Sequence, residues 1–127
     1  MANLMKNILI VDNNPGFIFW LGTLLVGQGY QPWPASSPSD AISVGGRKAL
    51  ARLDLLIVNA SLPGVSQVID HFRRAQAHLR VMAFGPQGNT LPGVNVWQPT
   101  PGLSDDSAKR EWVRAVKHLA GKQNRAA

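Results

Sequence analysis

The chain has 127 residues, of which 45% are hydrophobic and 16% are charged, and its formal net charge at pH 7 is +6. This composition is typical of one globular domain with a buried core, and the absence of cysteine excludes disulfides and thiolate metal sites. The longest apolar stretch, residues 17–26, is too short to span a bilayer, and no signal-peptide core precedes the first apolar run, so we expect a cytoplasmic protein without a membrane partner.

The first half of the chain alternates predicted strands and helices. Asn14 is suited to cap the first helix, and Ser37 or Ser39 to cap the second. Two prolines place the second strand at the sheet margin, because they cannot donate to a neighbour. The pair Gly45–Gly46 predicts irregularity in the second helix, since each glycine costs about 1 kcal/mol relative to alanine. The predicted elements are a strand over 6–11, a helix over 15–28, a strand over 30–34 and a helix over 38–52.

The second half continues the alternation, with one departure. A strand over 53–58, a helix over 65–77, a strand over 79–84, a strand over 94–97 and a helix over 105–120 are predicted. The twelve residues between Gly85 and Gln98 already contain a strand, so a helix of about 11 residues does not fit. The fourth helix is therefore expected to be short or missing, and residues 122–127 are expected to fray.

Two of the predicted strands end in small polar clusters. The first runs into Asp12 and Asn13, and the third runs into the segment Asn59-Ala60-Ser61-Leu62-Pro63-Gly64. Parallel strands deliver such side chains to one edge of an α/β sheet, where these folds bind ligands. Together the two runs resemble the first and third strands of a response-regulator receiver domain. The resemblance implies a doubly wound, flavodoxin-like fold over residues 1–121, with a five-stranded parallel sheet of order 2-1-3-4-5.

The resemblance also identifies the positions of the family's phosphorylation pocket. In the family, the first strand ends in paired carboxylates that hold magnesium, and the third ends in the aspartate that accepts a phosphoryl group. The fourth ends in a threonine or serine, and the fifth in a lysine followed by a cis proline. The matching residues in this chain are Asp12, Asn13, Asn59, Gly85, Gln98 and Pro99. The pocket is thus degenerate, and whether the bond before the proline is cis or trans is left open.

These replacements remove separate requirements of phosphoryl transfer. The Asn59 amide has no anionic oxygen to attack phosphorus, and Asp12 alone supplies too little charge to hold magnesium well. Gln98 supplies no cation. We therefore expect no catalytic residue, no metal and no cofactor, and we expect Asp12 to accept a hydrogen bond from the loop after it.

Five residues are candidates for a partner surface: Asn95, Trp97, Arg110, Arg114 and Lys117. Asn95 occupies the family's aromatic switch position, and strand alternation places it on the same sheet face as Trp97, away from Gln98. Trp97 is either a core residue or a partly exposed contact. The three cations follow one outward face of the last helix, which is either a solvated face or an anionic docking surface.

The sequence favours a non-phosphorylatable pseudo-receiver that acts as a protein–protein interaction module in bacterial two-component, or phosphorelay, signalling. Its partner would be a protein, an output domain or a second copy. The alternative is a regulatory domain that binds a ligand or, less favoured, nucleic acid, through the vacated pocket or the basic last helix.

Overall fold

The computed structural model describes residues 5–47, 50, 52–85 and 91–121. Within them, the strands are β1 (Asn7–Val11), β2 (Gln31–Ala35), β3 (Leu55–Asn59), β4 (Val81–Phe84) and β5 (Val96–Gln98), and the helices are α1 (Pro15–Gly27), α2 (Pro38–Gly45), α3 (Val65–Ala75) and α4 (Asp106–Ala120). The strands form one parallel sheet of order β2-β1-β3-β4-β5. The predicted fold class and strand order are confirmed.

The sheet is buried on both faces, as its continuous apolar strands require. Leu9 of β1 and Leu56 of β3 point towards α2 and α3, whereas Ile8 and Leu55 point towards α1 and α4. This alternation divides the core into two layers, one on each side of the sheet. None of the described helices is long and apolar enough to cross a membrane.

The prolines of β2 close the free edge of the sheet. The N–H of Gln31 donates to the carbonyl of Lys6 at 2.9 Å, and the carbonyl of Ala35 accepts from the N–H of Asp12 at 3.1 Å. Since the backbone groups of a strand alternate in direction, Pro32 and Pro34 face away from β1. Neither has an N–H, so this edge offers no donors to an incoming strand.

The second helix is shorter than predicted. Ser37, one of the two candidate caps, accepts from the N–H of Asp40 at 3.0 Å, but the helix ends at Gly45 rather than at residue 52. A Cβ on Gly45 would collide with the Phe72 ring of α3. The glycine thus allows the two helices to approach closely. The helix ends at the Gly45–Gly46 pair, where irregularity was predicted. Residues 48, 49 and 51 lie outside the described part.

A turn occupies the described part of the β4–β5 connection, residues 91–95, and residues 86–90 lie outside it. Asn95 Oδ1 accepts from the N–H of Val81 at 2.8 Å and from Arg73 Nη2 at 3.0 Å. Arg73 also donates from Nε and Nη2 to the carbonyl of Leu79, at 3.1 and 2.9 Å. These bonds fasten the connection to α3.

The last helix packs by its aromatic and aliphatic residues. Asp105 caps it by accepting from the N–H of Ser107 at 2.9 Å. Trp112 is 1% exposed and lies among Phe17 and Phe84, with ring centroids 5.5 and 5.6 Å away. Val113, the next residue along the helix, is only partly buried. The predicted frayed tail, residues 122–127, lies outside the described residues.

Candidate functional site

The polar ends of β1 and β3 meet at the carboxyl edge of the sheet. Val11 pairs with Val58 in the parallel register, so the residues that follow, Asp12 and Asn59, are neighbours. Asn59 Nδ2 donates to Asp12 Oδ1 at 2.8 Å. Asp12 is 3% exposed, and among the described residues it is the only charged residue that is buried. The buried carboxylate is therefore partnered by an amide.

The orientation of this amide follows from its second bond. Asn59 Oδ1 accepts from the N–H of Ser61 at 2.9 Å, which directs the NH₂ group towards Asp12. Asp12 was expected to accept from the loop after it, but its side-chain donor is Asn59. The amide thus supplies the hydrogen bond that a buried carboxylate requires.

A cavity of about 240 Å³ opens above this pair. It is lined by Asp12, Asn13, Asn14, Phe17, Asn59, Ser61, Phe84, Gly85, Thr100, Pro101 and Leu103. Four of the six predicted pocket residues are present. Gln98 and Pro99 do not line the cavity, and the peptide bond between them is trans. On this side the cavity is therefore lined by the loop that follows, rather than by the predicted residues Gln98 and Pro99.

That loop was not predicted from the sequence as part of the site. Thr100, Pro101 and Leu103 lie between the end of β5 and the cap of α4, and Leu103 reaches the start of α1, where a Cβ on Gly16 would be 3.8 Å from Leu103 Cδ1. The signal available in the sequence was topological, because every loop that follows a parallel strand begins at the same sheet edge.

Gly85 shapes the cavity through its backbone. Its φ of +143° is one that side chains other than glycine rarely adopt. A Cβ there would lie 3.7 Å from Ser61 Oγ and 3.9 Å from Asn59 Oδ1, within ordinary contact. A Cβ atom would thus fit beside Asn59, but the backbone at this position disfavours any residue other than glycine.

The described lining of the cavity offers hydrogen-bonding groups but only one charged side chain, that of Asp12. Asn14 Oδ1 is already occupied, because it accepts from the N–H groups of Gly16 and Phe17 at 2.9 and 3.3 Å. Asn13, Ser61 and Thr100 add uncharged polar groups. Among the described residues, no three His, Cys, Asp or Glu side chains are grouped so that they could hold a metal.

The candidate partner residues lie on two surfaces rather than one. Trp97 pairs in register with Ala83, which belongs to the core layer beneath α2 and α3, and its side chain is 39% exposed. Arg110, Arg114 and Lys117 instead line a groove between α1 and α4, on the opposite face of the sheet. Asn95 lies on the Trp97 side, bonded to α3.

The N-terminus of α4 has one perturbed acid. The Ser107 hydroxyl and then the Ser107 N–H donate to Asp105, and the charge of Arg110 adds a smaller effect, so the pKa of Asp105 is below its usual value. Burial opposes this shift without cancelling it. The cap therefore keeps its carboxylate form to a lower pH than an ordinary aspartate.

Solved receiver domains have similar structures. A CheY-like receiver domain protein of Methanospirillum hungatei JF-1 has a TM-score of 0.76 and 15% identity, over 94% of this chain and 97% of that chain. For the Thermotoga maritima response regulator TrrA, crystallised with Mg²⁺ and BeF, the TM-score is 0.71 and the identity 20%, over 91% and 99%. The receiver domain of a Pseudomonas aeruginosa PAO1 sensor histidine kinase, with magnesium in its active-site cleft, has a TM-score of 0.74 and 19% identity. This likeness covers 93% of this chain and 99% of that chain.

Sequence comparisons give no such match. No protein-family model matches the chain, and no curated protein is similar to it in sequence. The likeness therefore rests on structure, where it extends over nearly the whole length of both chains. The chain has the fold of the response regulator receiver domains.

Proposed function

We propose that this chain is a pseudo-receiver: a domain that accepts no phosphoryl group and acts as a protein–protein interaction module in bacterial two-component signalling. The observation that carries the proposal is the bond from Asn59 Nδ2 to Asp12 Oδ1. It places an uncharged amide where the family has its phosphoryl acceptor, and it gives the remaining carboxylate a partner that is not a metal.

The charge at the site supports the same conclusion. A phosphoryl group carries negative charge through its transfer and needs a metal ion or cationic side chains to stabilise it. Among the described residues lining the cavity, Asp12 is the only charged side chain and none is cationic. The described lining of the cavity thus lacks both the charge to attract magnesium and the cation to stabilise the transferred group.

The test is treatment with acetyl phosphate and magnesium, followed by intact-protein mass spectrometry. We expect no phosphoryl adduct on the wild-type chain or on Asn59→Asp, because the latter still lacks the second carboxylate, the hydroxyl and the cation. An active receiver treated in parallel is the positive control. A phosphoryl adduct mapped to Asp12 of the wild-type chain would overturn the proposal.

The same substitution tests the role of the amide in the fold. Asn59→Asp places two carboxylates in contact, so we expect the free energy of unfolding at pH 7 to fall by about 1–3 kcal/mol. The repulsion raises the folded-state pKa of the pair, so the loss should diminish as the pH falls. Asn13→Asp, which adds the same charge at an exposed position of this edge, is the control. Equal losses from both variants in urea titrations would show that the amide bond has no special role.

A further inference from the structure

The groove between α1 and α4 combines an apolar floor with a basic rim. It encloses about 510 Å³ and is lined by Leu24, Gln28, Lys109, Arg110, Val113, Arg114 and Lys117. Leu24 and Val113 provide the apolar surface, one from each helix. The four cations all come from α4, so the groove has a basic wall on one side only.

The opposite wall provides no acid to neutralise these cations. α1 (Pro15–Gly27) contains no charged residue. Among the described residues, no carboxylate forms an ion pair with Arg110, Arg114 or Lys117, and Lys109 pairs only with the exposed Asp106, at 3.7 Å. Such an exposed pair contributes little. The groove lining therefore carries four cations and no acid, and the acids that act on them in the described part, Asp105 on Arg110 and Asp106 on Lys109, lie at the beginning of α4.

We propose that this groove binds an acidic amphipathic helix of a partner protein. This inference rests on the interaction role proposed above and identifies the chemistry of the partner. The apolar stripe of such a helix would lie on Leu24 and Val113, and its acidic residues would face the α4 cations. The cations extend from Lys109 to Lys117, which is about 12 Å along a helix axis, or a little more than two turns.

The apolar floor favours a peptide over nucleic acid. Nucleic acid contacts a basic surface mainly through its phosphates, which gain nothing from Leu24 and Val113. An amphipathic helix buries apolar area and places charge at the rim, the arrangement found in helix-in-groove recognition. A partner segment in an extended conformation could instead pair with a free sheet edge, but the prolines of β2 leave that edge without N–H donors.

The experiment uses a fluorescein-labelled peptide of about 18 residues, built from leucine on one helical face and glutamate on both flanks. Binding to the full chain is measured by fluorescence anisotropy. We expect the Kd to rise about tenfold or more for the triple variant Arg110→Glu, Arg114→Glu, Lys117→Glu. The matched control, Arg47→Glu, Arg74→Glu, Arg80→Glu, changes the net charge equally at exposed positions outside the groove, and we expect less than about a threefold rise.

A second pair of variants tests the floor. Val113→Ser should weaken the peptide, whereas Val26→Ser, at an exposed position of α1 that does not line this groove, should not. A glutamine version of the groove triple variant, checked for folding by circular dichroism, repeats the charge test without introducing acids. A scrambled peptide of equal composition should bind much more weakly.

Several results would overturn the proposal. The first is that the peptide does not bind the wild-type chain, and the second is that the two triple variants lose affinity for it equally. The third is that the scrambled peptide binds as tightly as the designed one. The fourth is that a random-sequence DNA duplex binds more tightly than the peptide and loses affinity in the groove variant. Failure here leaves the pseudo-receiver proposal intact, since that proposal depends on the acetyl phosphate test. A phosphoryl adduct would overturn that proposal whatever the peptide does.

Discussion

The two faces of the sheet are covered by different means. On the α1 and α4 face, Trp112 lies in a cluster of large rings with Phe17 and Phe84, all of them buried. On the α2 and α3 face, α2 ends after eight residues, and a turn takes part of the space of a fourth helix. There, Trp97 remains 39% exposed.

In the described part of the β4–β5 connection, the sheet is covered by a turn rather than by a helix. Arg73 of α3 donates to Asn95 Oδ1 in the β4–β5 connection and also to the carbonyl of Leu79, which precedes β4. Such bonds fix a short segment in place without the area that a helix would bury. Both faces combine apolar burial with a few polar contacts, since on the α1 and α4 face the Tyr30 hydroxyl donates to the carbonyl of Gly121 at 2.7 Å.

The largest expected effect concerns the two tryptophans. Trp112→Ala should lower the free energy of unfolding by about 3–5 kcal/mol, because it leaves a large cavity among rings that are already buried. Trp97→Ala should cost less than about 1.5 kcal/mol, because its side chain is far from fully buried. Urea denaturation of both variants measures the difference. Equal losses would assign Trp97 to the core, whereas association lost at little cost in stability would support a partner contact.

Removing Asn95 should weaken only the α2 and α3 face. In Asn95→Ala, the partly buried N–H of Val81 loses its acceptor, and Arg73 loses one of its bonds. We expect a loss of about 1–3 kcal/mol. Hydrogen exchange should show faster exchange of the Val81 amide, with α4 amides unchanged. Uniformly faster exchange would show that the connection is coupled to the whole fold.

Two glycine substitutions compare the packing of the faces directly. Gly45→Ala forces a methyl group against the Phe72 ring, so we expect a loss of about 1–3 kcal/mol. A Cβ on Gly22, in the middle of α1, meets nothing within 4 Å, so Gly22→Ala should stabilise by about 0.5–1 kcal/mol. Melting temperatures of the two variants should shift in opposite directions. Shifts in the same direction would contradict this account of both sites.

The features that the sequence predicted correctly are those that depend on residues close together in the chain. The runs that end in Asp12 and Asn59 indicated parallel strands with polar ends at one sheet edge, the receiver resemblance implied that these strands are neighbours, and their side chains are in contact. Asn14 was identified as a cap from its position alone, and it caps α1. Periodicity and capping act over a few residues, so they can be recognised without the tertiary structure.

The missed features depend on contacts between distant residues. The close approach of Gly45 to Phe72 involves the next helix, and the lining of the cavity by Thr100, Pro101 and Leu103 depends on how the loop after β5 lies along the sheet edge. The cations of α4 could be placed on an outward face, but no local pattern shows that α1 lies across from them. Asn95 and Arg73 likewise meet only because the connection lies against α3.

The smallest expected effect is the pH response of the α4 cap. The Ser107 hydroxyl, the Ser107 N–H and the charge of Arg110 hold the pKa of Asp105 below its ordinary value of 3.8. A carboxyl with a lowered folded-state pKa contributes stability that is complete above its unfolded-state value and is lost as the pH falls through the folded-state value. Acid should therefore weaken the beginning of α4 below about pH 3.8.

Asp105→Asn isolates this contribution, because asparagine caps a helix about as well as aspartate but does not titrate. We expect stability at pH 7 to change little and the dependence on pH below 3.8 to become shallower. Thermal melts across that range measure the slope. Asp106→Asn, which removes the same charge from an exposed side chain in the same turn, is the control. An equal change of slope in both variants would assign the effect to net charge, since only Asp105 accepts the hydrogen bonds of Ser107.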